Sequence, residues 1–151
     1  MQKKKISDKA LIIIICVTIA FIWIHSMMPT DMSSSESGWV MKIIQPVLEL
    51  FVGKGNVTEH LVRKMAHFIE YFVLGSELTF FFNRKKLPQF PKTVATIIFP
   101  LGISLTVASI DECIQIFSNR GPMVQDVLLD FCGALTAYII VRIILRAVRP
   151  A

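Results

Sequence analysis

The sequence predicts an all-α membrane protein, a bundle of four transmembrane helices in a single domain covering residues 1–151. Of its residues, 54% are apolar and 18% are charged, whereas about 25% are charged in an ordinary soluble domain. The apolar residues form four long blocks separated by shorter polar segments. Each block is near the roughly 20 residues that a helix needs to cross a bilayer, so each is expected to be a span.

The first predicted span covers residues 10–28 and follows a basic N-terminal segment. Its apolar run is longer than the roughly 7–15 residues of a cleaved signal peptide, which favours a retained helix. A Ser-rich stretch follows, and then an apolar segment at 39–51 that is too short to cross the membrane. This segment suits an interfacial or re-entrant element, or a loop that packs over the helix ends.

The other three predicted spans cover residues 60–82, 93–117 and 124–148. The connections between them are short and contain prolines or a Gly-Pro pair. Such short connections predict that these three helices are antiparallel neighbours.

The distribution of Lys and Arg predicts the orientation of the helices. Eleven of the 16 basic residues lie in the N-terminal segment, in the connection 83–92 or near the C-terminus. With an even number of spans these regions share one side of the membrane, and the positive-inside rule makes that side cytoplasmic. The net charge of +5 therefore indicates attraction to anionic lipid, and no nucleic-acid partner is expected.

Polar residues recur at one predicted depth on the last three spans, in the half nearer the outer surface. An unpaired charge deep in a bilayer costs about 2.5–3.5 kcal/mol, so these side chains are expected to face one another or a water-filled cavity. Helical spacing also places those of each span largely on one face. The residues are Arg63, Lys64, His67 and Glu70; then Asp111, Glu112 and Gln115; then Asp126 and Asp130.

Simpler structural roles are open for several of these residues. His67 and Glu70 could form a structural hydrogen bond, and the acids of span three could pair with Arg63 or Lys64. Glu77 lies deeper, without an obvious partner, and could be protonated or capped by Arg142. On span four, Gly133 and Ala137 continue the acidic stripe, and small residues of this kind allow close helix packing. The three cysteines, all within spans, are expected to be buried and inert.

The polar motifs resemble those of the VanZ-like family of small bacterial membrane proteins. The resemblance rests on RKMAHFIEYFVLG at 63–75, on SIDECIQIFSNRGPMVQDVLLDFCGALTAY at 109–138 and on HSMMPTDMSSSES at 25–37. One departure is Ser118-Asn119, where the family often has Pro and Gly. The resemblance implies the bacterial cytoplasmic membrane, and one family member is associated with low-level resistance to teicoplanin, a lipid-tailed glycopeptide antibiotic. The resemblance implies that the family's recurring polar positions are present here, and we expect the following of them to bind a ligand: Arg63, Lys64, His67, Glu70, Tyr71, Asp111, Glu112, Gln115, Arg120, Asp126 and Asp130.

Three functions remain open from the sequence. The first is a non-enzymatic protein whose outward-facing cavity binds an amphipathic or lipid-linked ligand, such as a cell-wall precursor or a lipoglycopeptide. The second is a membrane hydrolase or transferase acting on a lipid-linked phosphate or sugar. The third, ranked last, is a transporter, for which four helices would have to form a homo-oligomer. No cofactor is expected, although a divalent cation at the acidic cluster is left open. The catalytic candidates are His67, Glu70, Asp111, Glu112, Asp126 and Asp130.

Overall fold

A computed structural model describes residues 7–27, 58–85, 87–117 and 124–148, together with Glu49 and Gly53. The described chain contains four long helices and no strand. They are α1 (Asp8–Ser26), α2 (Glu59–Arg84), α3 (Phe99–Phe117) and α4 (Val124–Ala147). Their bounds agree with the four predicted blocks to within two residues, except that α3 begins six residues after the predicted start. The predicted element at 39–51, Glu49 apart, and Arg120 lie outside the described residues.

A π-helical turn, Val94–Ile98, leads directly into α3. Pro100 follows it and lacks the backbone N–H that a helix needs at that position, and its ring crowds the carbonyl one turn back. The N–H of Phe99 donates to the carbonyl of Val94, five residues earlier. The wider turn therefore lets the helix begin before the proline and continue past it.

The described helices have an inverted distribution of polarity. Large apolar side chains point outward, as Ile13 (63% exposed) and Ile143 (61%) illustrate, while Asp111 (0%) and Asp130 (1%) are buried. A water-soluble bundle would show the opposite distribution. Three segments are long and apolar enough to cross a membrane: Asp8–Ser26, Val94–Gln115 and Val124–Ala147. The chain is therefore a multi-pass membrane protein. Helix α2 is long, but it is not among the segments that are apolar enough to cross a membrane.

The helix α2 occupies the centre of the bundle and contacts each of the other three. Its C-terminal end meets the start of α1, where Asp8 lies 3.2 Å from the Lys85 amine and 3.7 Å from the Arg84 guanidinium. Antiparallel packing of this kind brings the C-terminal end of α1 beside the N-terminal half of α2. The polar side chains that form the candidate site lie at this end of the bundle.

The packing of α2 against α4 depends on two glycines. A Cβ added to Gly133 would lie 2.4 Å from the carbonyl oxygen of Phe68, and one added to Gly75 would lie 2.7 Å from Cα of Ala134. Real Cβ atoms do not approach that closely, so the two backbones meet because neither glycine has a side chain. The predicted small-residue stripe on α4 is confirmed, since Gly133 and Ala137 are both buried.

The expectation of buried cysteines is wrong. Cys16, Cys113 and Cys132 are free thiols, and all three are exposed on the outside of the helices. The inward faces of α3 and α4 carry carboxylates and small residues instead. A thiol is apolar enough to lie on a surface that contacts lipid.

Candidate functional site

His67 of α2 lies between carboxylates of two other helices. Its Nδ1 is 3.7 Å from Oδ2 of Asp111 on α3 and 3.9 Å from Oδ1 of Asp130 on α4. Both aspartates are fully buried, and the imidazole is largely buried. The structure thus brings together residues that the sequence placed at one depth on three spans. We call His67, Asp111 and Asp130 the carboxylate–histidine trio.

The two aspartates of the trio are alike in their hydrogen bonding. Neither carboxylate oxygen of Asp111 or of Asp130 has a hydrogen-bond partner among the described residues, although Ser26, at the end of α1, and Gln115 lie near Asp111. A buried carboxylate without a partner is costly, so the positions of both aspartates need a further explanation.

The helix α1 contributes a second histidine to this end of the bundle. Nδ1 of His25 lies 2.8 Å from Oε1 of Glu70, and the His25 ring stacks on that of His67 with centroids 6.0 Å apart. The sequence suggested His67 as the partner of Glu70, whereas the structure places Glu70 against His25. Sequence reasoning missed His25, although an ionisable residue near the end of a predicted span is itself a signal of function.

A salt bridge joins α2 to α4 beside the trio. The amine of Lys64 is 3.0 Å from Oδ1 of Asp126, and both side chains are partly exposed. The sequence had proposed the acids of α3 as partners for Lys64. Arg63 makes no salt bridge to a residue in the described ranges, since no such pair is within 4 Å.

The remaining candidates lie around the trio. Glu112 and Gln115 are buried on α3, and Tyr71 is buried on α2. The hydroxyl of Tyr71 has no hydrogen-bond partner within the described part of the chain. Helices α2 and α3, which carry these candidates, therefore direct most of their polar side chains into the interior of the bundle, at the same end.

Glu77 is separate from this group, nearer the other end of α2. Its Oε1 accepts a hydrogen bond of 3.0 Å from the Thr18 hydroxyl. Arg142, which the sequence suggested as a cap for Glu77, donates to Asn83 at 3.1 Å, so that suggestion is wrong. Glu77 thus helps to join α1 to α2, and no contact within the described part of the chain connects it with the trio.

An apolar groove of about 370 Å³ runs between α1 and α2. The one charged side chain among its lining residues is Glu70, which also pairs with His25. The groove therefore connects an apolar surface with the polar end of the bundle. Its other lining residues are Val17, Thr18, Phe21, Ile22, Ile69 and Val73.

The chemistry available at this end of the bundle follows from the residue types. His67, Asp111 and Asp130 each offer one ligand atom, and these atoms all lie within 4.8 Å of one another, so they could hold a cation. An imidazole flanked by carboxylates can also accept a proton. Lys64, at the edge, could bind a phosphate or carboxylate oxygen.

Comparison with known proteins matches the chain to a protein family. The family model described as VanZ/LLP1 matches residues 11–145, which is nearly the whole chain. No curated protein and no solved structure matches.

Proposed function

The chain belongs to the VanZ/LLP1 family, and we propose that it binds an amphipathic or lipid-linked ligand at the polar end of its helix bundle. In this proposal the protein lies in the bacterial cytoplasmic membrane, with both termini cytoplasmic and the polar end facing outward. The orientation rests on the basic residues that flank the spans.

The proposal requires α2 to be the fourth span. With 26 residues it is about 39 Å long, more than the hydrocarbon thickness of about 30 Å. Its outer surface is apolar, since Met65, Ile69 and Val73 are all exposed along one stripe. Its charges are compatible with a span because Lys64 and Glu70 are paired with residues of neighbouring helices.

The observation that most supports the proposal is that Glu70 borders both the apolar groove and the polar end of the bundle. This residue lines the apolar groove between α1 and α2, and it also contacts His25, whose ring stacks on His67. A ligand with an acyl or isoprenoid chain would place the chain in the groove. Its polar group would then lie at the histidines and the carboxylates. Lipid-linked cell-wall precursors and lipoglycopeptides have this combination of chain and polar group.

The groove predicts the effect of a bulky substitution on binding. Ile69→Trp should fill the groove and reduce affinity for a fluorescent lipid phosphate about tenfold, equivalent to about 1.4 kcal/mol. Ile143→Trp is the matched control because Ile143 is equally apolar and is 61% exposed on α4, away from the groove. Fluorescence titration of the purified proteins in detergent measures the effect. Equal affinities for the two variants would contradict binding in the groove.

In cells, binding of a lipoglycopeptide at this site would give the protein a role in glycopeptide resistance. Cells that express the wild type should survive a higher teicoplanin concentration than cells with an empty vector. His67→Ala and Asp130→Asn should abolish this difference, because both change the polar end of the bundle. The measurement is the minimum inhibitory concentration, with the amount of each variant in the membrane checked by immunoblot. The resistance role would be ruled out by equal susceptibility of all four strains.

A membrane hydrolase or transferase is the second candidate, favoured by the position of His67 between two carboxylates. Such an imidazole can serve as a general base that a carboxylate orients. The two functions differ in one measurable way. Purified protein that releases a product from a lipid-linked phosphate or sugar is an enzyme, whereas a binding protein returns the lipid unchanged.

A further inference from the structure

We propose that the carboxylate–histidine trio binds one divalent transition-metal ion. The trio draws one residue from each of three helices, and its ligand atoms lie within 4.8 Å of one another. The proposal goes beyond lipid binding and does not depend on it, since the ion would be held by the protein's own side chains.

The distances within the trio fit an ion better than they fit direct hydrogen bonds. Nδ1 of His67 is 3.7 Å and 3.9 Å from the nearest oxygens of Asp111 and Asp130, whereas an N–H···O hydrogen bond is about 2.7–3.2 Å long. Two ligands that each lie about 2.1 Å from one ion can be up to about 4.2 Å apart. Both measured distances fall below that limit, so a single ion could contact the imidazole and either carboxylate.

The environment of Asp130 is a second, independent observation. This carboxylate is 1% exposed, and neither of its oxygens has a hydrogen-bond partner among the described residues. Two nearby cationic groups already have other partners, since Lys64 pairs with Asp126 and His25 with Glu70. A cation between the two aspartates would neutralise a buried charge that is otherwise costly to retain.

The ligand set indicates the class of ion. Imidazole nitrogen suits Zn²⁺ and other first-row transition metals, whereas Mg²⁺ and Ca²⁺ prefer sites made of oxygen alone. One histidine and two carboxylates therefore favour Zn²⁺ or Mn²⁺. Three protein ligands leave at least one coordination position for water or for an anionic group.

The test is metal binding by the full chain in detergent, with any affinity tag removed and bound metal first stripped with a chelator. The protein is dialysed against Zn²⁺ or Mn²⁺, and bound metal is counted by mass spectrometry. We expect about one ion per chain in the wild type and at least a tenfold weaker affinity in His67→Ala, Asp111→Asn and Asp130→Asn. His60→Ala removes an exposed histidine outside the trio, and Glu77→Gln removes an acid that bonds Thr18. Both should bind like the wild type.

Two results would overturn the proposal. One is a wild type that binds neither ion; the other is three trio variants that still bind one ion with unchanged affinity. X-ray absorption spectroscopy of the metal-loaded wild type provides a test that needs no variant to fold. It should show one imidazole among oxygen ligands, and a sulfur-ligated ion or one without imidazole would refute the assignment. Neither measurement uses lipid, so failure of the metal site is distinguishable from failure of lipid binding.

Discussion

Gly133→Val is expected to lower the stability of the bundle and to separate α2 from α4. A Cβ at this position would lie 2.4 Å from the Phe68 carbonyl oxygen. That oxygen belongs to the backbone and cannot move unless the helix moves. Overpacking in a well-packed interior costs about 1–3 kcal/mol, and the second and third carbons of valine add to the overlap. Thermal unfolding in detergent, followed by circular dichroism, measures the effect.

The control for Gly133→Val is Gly102→Ala, because a Cβ on Gly102 would meet no atom within 4 Å. Alanine is favoured over glycine inside a helix by up to about 1 kcal/mol, so Gly102→Ala should be neutral or stabilising. Gly75→Val should resemble Gly133→Val, since its Cβ would overlap the backbone of Ala134. Unchanged unfolding temperatures for both valine variants would mean that α2 and α4 do not pack through these glycines.

Asp130→Asn is expected to stabilise the metal-free protein while it removes function. The carboxylate of Asp130 is buried without a hydrogen-bond partner among the described residues. An unsatisfied buried polar group costs about 1–3 kcal/mol, and a charged one costs more. The neutral amide has nearly the same shape and removes only the extra cost of the charge, so the free energy of unfolding should rise by up to about 1 kcal/mol. Thermal unfolding in the presence of a chelator measures this rise.

A gain in stability together with a loss of function would distinguish a functional aspartate from a structural one. A residue kept for stability loses both stability and function when it is replaced, whereas a residue kept for function at a cost to the fold gains stability. Asp8→Asn is the control, because Asp8 is partly exposed and pairs with Arg84 and Lys85. This change should lower stability by no more than about 1 kcal/mol. An Asp130→Asn protein that unfolds well below the wild type would show that the carboxylate holds the helices together.

The helices could be predicted from the sequence because membrane spans are set mainly by local properties. The length of each apolar block determines whether it can cross a bilayer, and neighbouring residues contain that information. It could also be predicted from the sequence that His67, Asp111 and Asp130 would lie close together. Antiparallel spans with short connections place one half of each helix at the same depth, and helical periodicity selects one face.

The individual partners could not be predicted, because they depend on how each helix is rotated and shifted against its neighbours. Adjacent candidates for one partner, such as the two acids of α3 suggested for Lys64, differ in position by only a few ångströms along or around a helix. The sequence therefore did not identify the pairing of Lys64 with Asp126 or the approach of His25 to Glu70. The bond from Thr18 to Glu77 joins residues 59 positions apart, a separation at which no local pattern gives information.

The central position of α2 has a consequence for how the protein is made. This helix is not among the segments that are long and apolar enough to span a membrane, and Lys64 finds its counter-charge on α4, which is translated later. When α2 first reaches the insertion machinery, that acid has not been synthesised. If α2 is the fourth span, as we propose, its stable insertion depends on residues that are translated after it.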